Sequence, residues 1–107
     1  MASAVFDHER LDVYRIAIVY VTNSYRSAKT LKGIDRHIRD QWLRASQSIL
    51  LNIAEGNGKE GFRDRSRFLQ IARGSAYECA AIHDILDASS VIDSSENQKA
   101  KGQLLRI

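Results

Sequence analysis

The sequence has no proline and a single cysteine, Cys79. Without proline, nothing in the chain forces a kink or removes a backbone donor, so long uninterrupted helices are permitted. Six glycines in 107 residues are too few for the turn density of a β-sandwich or barrel. One cysteine excludes an intramolecular disulfide and any all-cysteine metal site. Long apolar runs are also missing. The longest, Ile16 to Val21, is six residues, against roughly 20 for a helix that crosses a bilayer. The opening Met1 to Arg10 lacks the charged-then-apolar layout of a secretion signal. These absences point to a cytoplasmic chain with no membrane partner.

What is present is an ordinary globular composition, 44% hydrophobic and 27% charged, which argues against wholesale disorder. The length suits one domain spanning residues 1–107. The net charge of +3 is unevenly spread: +2 over residues 1–32, zero over 33–58, +3 over 59–73 and −2 over 74–107. Eleven of the sixteen basic residues are arginine. Such asymmetry fits a polyanion-facing surface, and it equally fits the solvated faces of helices.

Apolar periodicity gives four helices, near 7–32, 35–55, 62–88 and 95–107. In the first, Leu11, Tyr14, Ile18, Val21 and Tyr25 recur three or four apart, one seam of a helix. Asp7 is its expected N-cap, with Phe6 stapling against Leu11, and Gly33 its stop. Val13, Ala17, Val19 and Tyr20 widen the apolar face, as for a helix packed on more than one neighbour. The second helix has an inner seam of Ile38, Trp42, Ala45, Ile49 and Asn52/Ile53. Asp35–Arg39 and Asp40–Arg44 are acid-before-base pairs on its outside. Gly56 is expected to close it as a left-handed residue. The third has Gly61 as a possible cap and a seam of Ser66, Leu69, Ala72/Arg73, Ala76, Ala80, His83 and Leu86. Asp93-Ser94-Ser95-Glu96 offers several caps for a short fourth helix. Short beside its neighbours, that helix would leave a groove uncovered along the bundle.

Three motifs stand out: Gln41-x-x-Arg44-Ala45-x-x-Ser48-Ile49, Asn52-Ile53-Ala54-Glu55-Gly56 and Ala72-Arg73-Gly74-Ser75-Ala76-x-Glu78. With Leu11-x-Val13-Tyr14 and Phe68-Leu69, they resemble the four-helix bundle family of proteins encoded in intervening sequences of bacterial 23S ribosomal RNA genes. That family includes the accessory variability protein of diversity-generating retroelements. The resemblance, over about residues 6–88, implies an all-α, antiparallel up-down-up-down bundle, here with a short or truncated fourth helix. In the retroelement branch it implies a homopentameric ring with a positive surface that works with a reverse transcriptase and RNA. Gly61 stands where the family often has Ser or Thr.

The motif residues Gln41, Arg44, Ser48, Asn52, Glu55, Gly56, Gly74, Ser75 and Glu78 have a structural reading. Gly74, Ser75 and Ala76 would let two helices cross closely, with Ala45 and Ser48 opposite. Asn52, Glu55 and Glu78 would need partners if buried, with Arg44 or Arg73 available to neutralise the acids. The competing reading is a ligand or partner site.

Enzyme readings find little support. A di-metal bundle needs Glu-x-x-His motifs, but Glu78 and His83 are five apart and no glutamate precedes His8 or His37 by three. His83–Asp87 at i,i+4 reads as an exposed pair, and Cys79 as a buried packing group. Gly56-Asn57-Gly58-Lys59 lacks the spacing and strand of a phosphate loop. No catalytic, cofactor or metal residues are therefore expected. The nucleic-acid reading rests on Lys59, Arg63, Arg65 and Arg67 near the start of the third helix, extended by Arg26, Lys29 and Lys32. Tyr14, Tyr20, Tyr25 and Trp42 read as core or interface rather than as a base-stacking stripe. The expectation is a non-enzymatic, self-associating module that binds RNA or DNA through arginine-rich surface. The alternative is a protein-interaction scaffold whose arginines serve salt bridges.

Overall fold

The computed structural model describes residues 6–107, so the first five residues of the expected 1–107 unit lie outside the described residues. All regular structure among the described residues is helical: α1 (Asp12–Ala28), α2 (Arg36–Asn57), α3 (Phe62–Ala88) and α4 (Ser94–Leu105). Each helix runs antiparallel to the next. Between α2 and α3 the paired residues Ser46–Cys79, Ser48–Ser75 and Gly56–Phe68 descend one helix as they climb the other. Asn97 and Lys101 of α4 both reach back to Asp84 of α3. α4 also packs on α1 and closes the bundle.

The core is formed by Ala17, Tyr20, Val21 and Ala28 of α1, Trp42, Ala45, Ile49 and Ile53 of α2, Ala72, Ala76, Cys79, Ile82 and Leu86 of α3, and Leu104 of α4. The α2 seam is the expected one. On α1 the inner face is turned from the expected seam: Ile18 and Tyr25 are 42% and 38% exposed, while Ala17, Tyr20 and Ser24 are buried. A helix apolar around most of its circumference does not single out one face by periodicity. Packing chooses the face that combines small Ala17 and Ala28 with a satisfied Tyr20. On α3, Leu69 and Arg73 are exposed and Cys79 and Ile82 lie inward.

The helix ends depart from expectation in three places. Residues Asp7–Arg10 form a separate 3-10 turn, Leu11 is extended (φ −76°, ψ 132°), and Asp7 makes no cap. In place of the expected staple, Phe6 stacks on His8 at 5.6 Å, and His8 meets Tyr14 edge-on at 4.7 Å. The first helix stops at Ala28, not 32, and Gly33 takes a left-handed φ of 63° at the start of a 3-10 turn, Gly33–Asp35, that leads into α2. Gly56 is not the left-handed terminator. It lies inside α2, buried, one residue before the helix ends.

The cap of α4 is as the sequence suggests: the Asp93 carboxylate accepts the Glu96 N–H at 2.8 Å. That bond holds the Asp93 carboxyl below its ordinary range.

Candidate nucleic-acid interface

Lys59 and the N-terminal half of α3 form a basic corner where α2 turns into α3. Lys59, Arg63, Arg65 and Arg67 are all exposed. Lys59 Nζ lies 5.1 Å and the Arg67 guanidinium 4.8 Å from the centroid of Phe68, whose ring therefore holds two cations near one another. The backbone places Phe68 closely. A Cβ on Gly56 would sit 2.9 Å from the Phe68 Cβ and 3.4 Å from the Arg65 carbonyl oxygen. Glycine at 56 thus lets α2 and the first turns of α3 touch, and the cations are fixed on that contact.

Arg26, Lys29 and Lys32 are exposed too, but they do not extend this corner. They lie at and beyond the C-terminal end of α1, and in an up-down-up-down bundle that is the end opposite the α2–α3 turn. The single basic field expected on one chain is therefore two separate patches.

Of the motif residues, the structure brings together Ser48, Asn52 and Ser75. Ser75 Oγ donates to Ser48 Oγ at 2.8 Å, and Asn52 Nδ2 donates to the Ser48 carbonyl at 2.7 Å and to its Oγ at 3.1 Å. This half-buried relay ties α2 to α3. Gln41, Arg44, Glu55 and Glu78 are exposed, outside it. The expected neutralisation of Glu55 or Glu78 by arginine is not formed. Arg73 instead donates to the Tyr77 hydroxyl at 3.1 Å, its guanidinium 5.6 Å from that ring. Gly74 is corrected as well. It faces open space, with nothing within 4 Å of where its Cβ would stand, so it makes no close crossing. The i,i+4 pairs of α2 are replaced by a bond from Arg39 to its neighbour Asp40 at 3.1 Å and one from Arg39 to the Leu31 carbonyl at 3.3 Å. The latter caps the α1–α2 connection, which a partner on Asp35 would not do.

His83 is not the exposed partner of Asp87. It is 5% exposed, and its Nε2 lies 2.7 Å from the Tyr20 hydroxyl, which accepts the Trp42 Nε1–H at 3.1 Å. With that hydroxyl already accepting from Trp42, its own proton is free for His83 Nε2, which fits a neutral imidazole. Burial drives the His83 pKa down to about 4, only partly opposed by the Asp84 charge. Burial likewise pushes the Tyr20 hydroxyl and the Cys79 thiol up. All three are thereby kept neutral in the core. Asp87 serves α4 instead, accepting from Asn97 at 2.8 Å and from Ser94 at 3.0 Å. Sequence reasoning missed this polar cluster because its three members lie on three helices at unrelated spacings.

It also missed aromatic groups on α3. Phe62 is 83% and Tyr77 63% exposed. The signal was available: Phe62, Arg65, Leu69, Arg73 and Tyr77 recur at steps of three and four. Among the described residues, no group of three or more His, Cys, Asp or Glu is placed to hold a metal ion. No helix of the described residues is long and apolar enough to cross a membrane.

Helix order, antiparallel register and a closed ring of neighbours define an antiparallel four-helix bundle. The chain belongs to the 23S rRNA-intervening sequence protein family, whose model matches residues 9–107. No curated protein matches it. A solved structure with the same fold is a protein of unknown function from the S23 ribosomal protein family of Bacteroides thetaiotaomicron. It is 20% identical, with a TM-score of 0.81 over 88% of this chain and 86% of that one. The family description and that structure's description name no reaction.

Proposed function

We propose that the chain is a non-enzymatic, self-associating helical module that binds RNA or DNA through the basic corner at the α2–α3 turn. The observation that carries this reading is the exposure of Lys59, Arg63, Arg65 and Arg67 around one short turn, none of them in a salt bridge. Unneutralised cations at a helix start, where free backbone N–H groups add partial positive charge, suit phosphate. Binding of this kind is salt-sensitive and weakly sequence-selective.

Self-association is supported by apolar side chains on the outer faces of α1 and α2: Ile18, Val19 and Leu51 are 42%, 49% and 57% exposed. These residues also favour a second reading, a protein-interaction scaffold without a nucleic-acid role. Filter binding of single- and double-stranded oligonucleotides at low salt, read beside native mass, separates the two. Arg63→Glu with Arg67→Glu should abolish retention and leave the oligomer intact. Loss of the oligomer instead, or no retention by the unaltered protein, would establish the scaffold.

A further inference from the structure

We propose that the outer groove of α3 is a track for single-stranded nucleic acid, in which unpaired bases stack on Phe62 and Tyr77 while phosphates meet Arg65 and Arg73. This deepens the nucleic-acid reading and rests on it, and it adds a strand preference and a surface that adjoins the basic corner through Arg65.

The placement comes from helix geometry. Phe62, Arg65, Leu69, Arg73 and Tyr77 fall on one face of α3 at successive steps of three, four, four and four, and from first to last they cover about 22 Å of helix axis. Two clefts flank this face. The lower, about 550 Å³, runs past Phe62, Arg65 and Leu69; the upper, about 470 Å³, runs past Tyr77 and Lys101 under the end of α4. Arg73 and Ile107 line both, so the two clefts adjoin along this face.

The occupant follows from chemistry. Isolated exposed apolar residues are common and carry no message. Here two exposed aromatics sit at the two ends of one helix face, each beside a cleft, with guanidinium groups between them. Aromatic faces alternating with cations are what a strand with unstacked bases requires, because stacking accepts any base and the arginines meet the backbone. A duplex cannot use the aromatics, since its bases are already stacked and paired. Arg73 and Tyr77 stand together, the guanidinium donating to the hydroxyl and lying 5.6 Å from the ring centroid. The charged side chains lining the two clefts are Arg65, Arg73, Lys101 and Glu60; Lys101 is already paired with Asp84, which leaves Arg65 and Arg73 against Glu60. A second copy packed symmetrically on this face would bring arginine against arginine, whereas a polyanion neutralises them.

The test is fluorescence anisotropy of a labelled single-stranded 12-mer and of the corresponding duplex, at low salt, with native mass measured in parallel. Phe62→Ala and Tyr77→Ala should each weaken single-strand binding about tenfold while changing duplex binding by about twofold at most. Tyr77→Trp should restore single-strand binding and show fluorescence quenching when the strand is added. Both alanine positions are exposed, so the fold should persist. If the unaltered protein binds but neither alanine variant weakens the single strand, the track is overturned and the basic corner stands. A changed native mass with unchanged single-strand affinity would make the groove a contact between copies, which also overturns it. If the unaltered protein binds neither probe, the nucleic-acid reading itself fails and the track with it.

Discussion

The two sides of this bundle are built on opposite principles. Where α2 meets α3, small groups let the helices approach: Ser46 lies against Cys79, Ser48 against Ser75 and Gly56 against Phe68. Where α1 and α4 lean over the same pair, the interior is filled by Tyr20, Trp42 and His83, which bond one another, and by buried Asn97. The first side leaves no room. The second opens into a cleft of about 340 Å³ lined by Tyr20, Trp42 and His83 together with polar residues of α1 and α4. Close packing tolerates no added atom, while a buried polar cluster tolerates no added charge. The two sides should therefore fail under different insults.

The largest effect is expected from acid on the aromatic side. The His83 pKa is lowered from 6.5 to about 4. Between those values the unfolded chain takes up a proton that the folded chain refuses. This contribution to stability is intact above pH 6.5 and declines as pH falls toward 4, by up to about 3 kcal/mol. Urea unfolding at pH 7 and pH 4.5 should reveal the loss, and His83→Gln should flatten it. An unchanged acid limb in that variant would assign the loss elsewhere.

Next in size is an added methyl on the close side. Gly56→Ala places a Cβ 2.9 Å from that of Phe68, and shifting backbone to relieve the clash should cost about 2 kcal/mol. Thermal melting would register this at any pH, unlike the histidine effect. Ser75→Ala removes only the link to Ser48 and should cost about 1 kcal/mol. The smallest effect has the opposite sign. Gly74→Ala adds its methyl where nothing stands within 4 Å, so an exposed helix interior should gain roughly 0.5–1 kcal/mol. A loss at Gly74 would mean that another chain approaches there.

The two glycines also show what was legible in the sequence. Helix number, order and the α2 seam follow from periodicity, because Ile38, Trp42, Ala45, Ile49 and Ile53 recur three or four apart on one face of α2. Sequence position alone misassigns the glycines: Gly56 reads as a stop and Gly74 as a close contact, whereas in the structure Gly56 makes the close contact and Gly74 makes none. Which small residue meets a neighbouring helix depends on rotation and register between helices, which are properties of pairs. The same gap hid the link between Tyr20, Trp42 and His83 and turned the inner face of α1. At the candidate interface, the charges of Lys59 to Arg67 were legible and their exposure followed. Their separation from Arg26, Lys29 and Lys32 required the topology. Phe62 and Tyr77 were visible as letters, but only their exposure beside a groove gives them a use.

Cys79 is the chain's sole thiol, fully buried beside Ser46 with its pKa raised by that burial. An alkylating reagent can reach it only while the second and third helices stand apart. The protein thus carries its own stopwatch: labelling rates on the unaltered chain time how often that seam breathes, and a partner that clamps it shut would slow the clock.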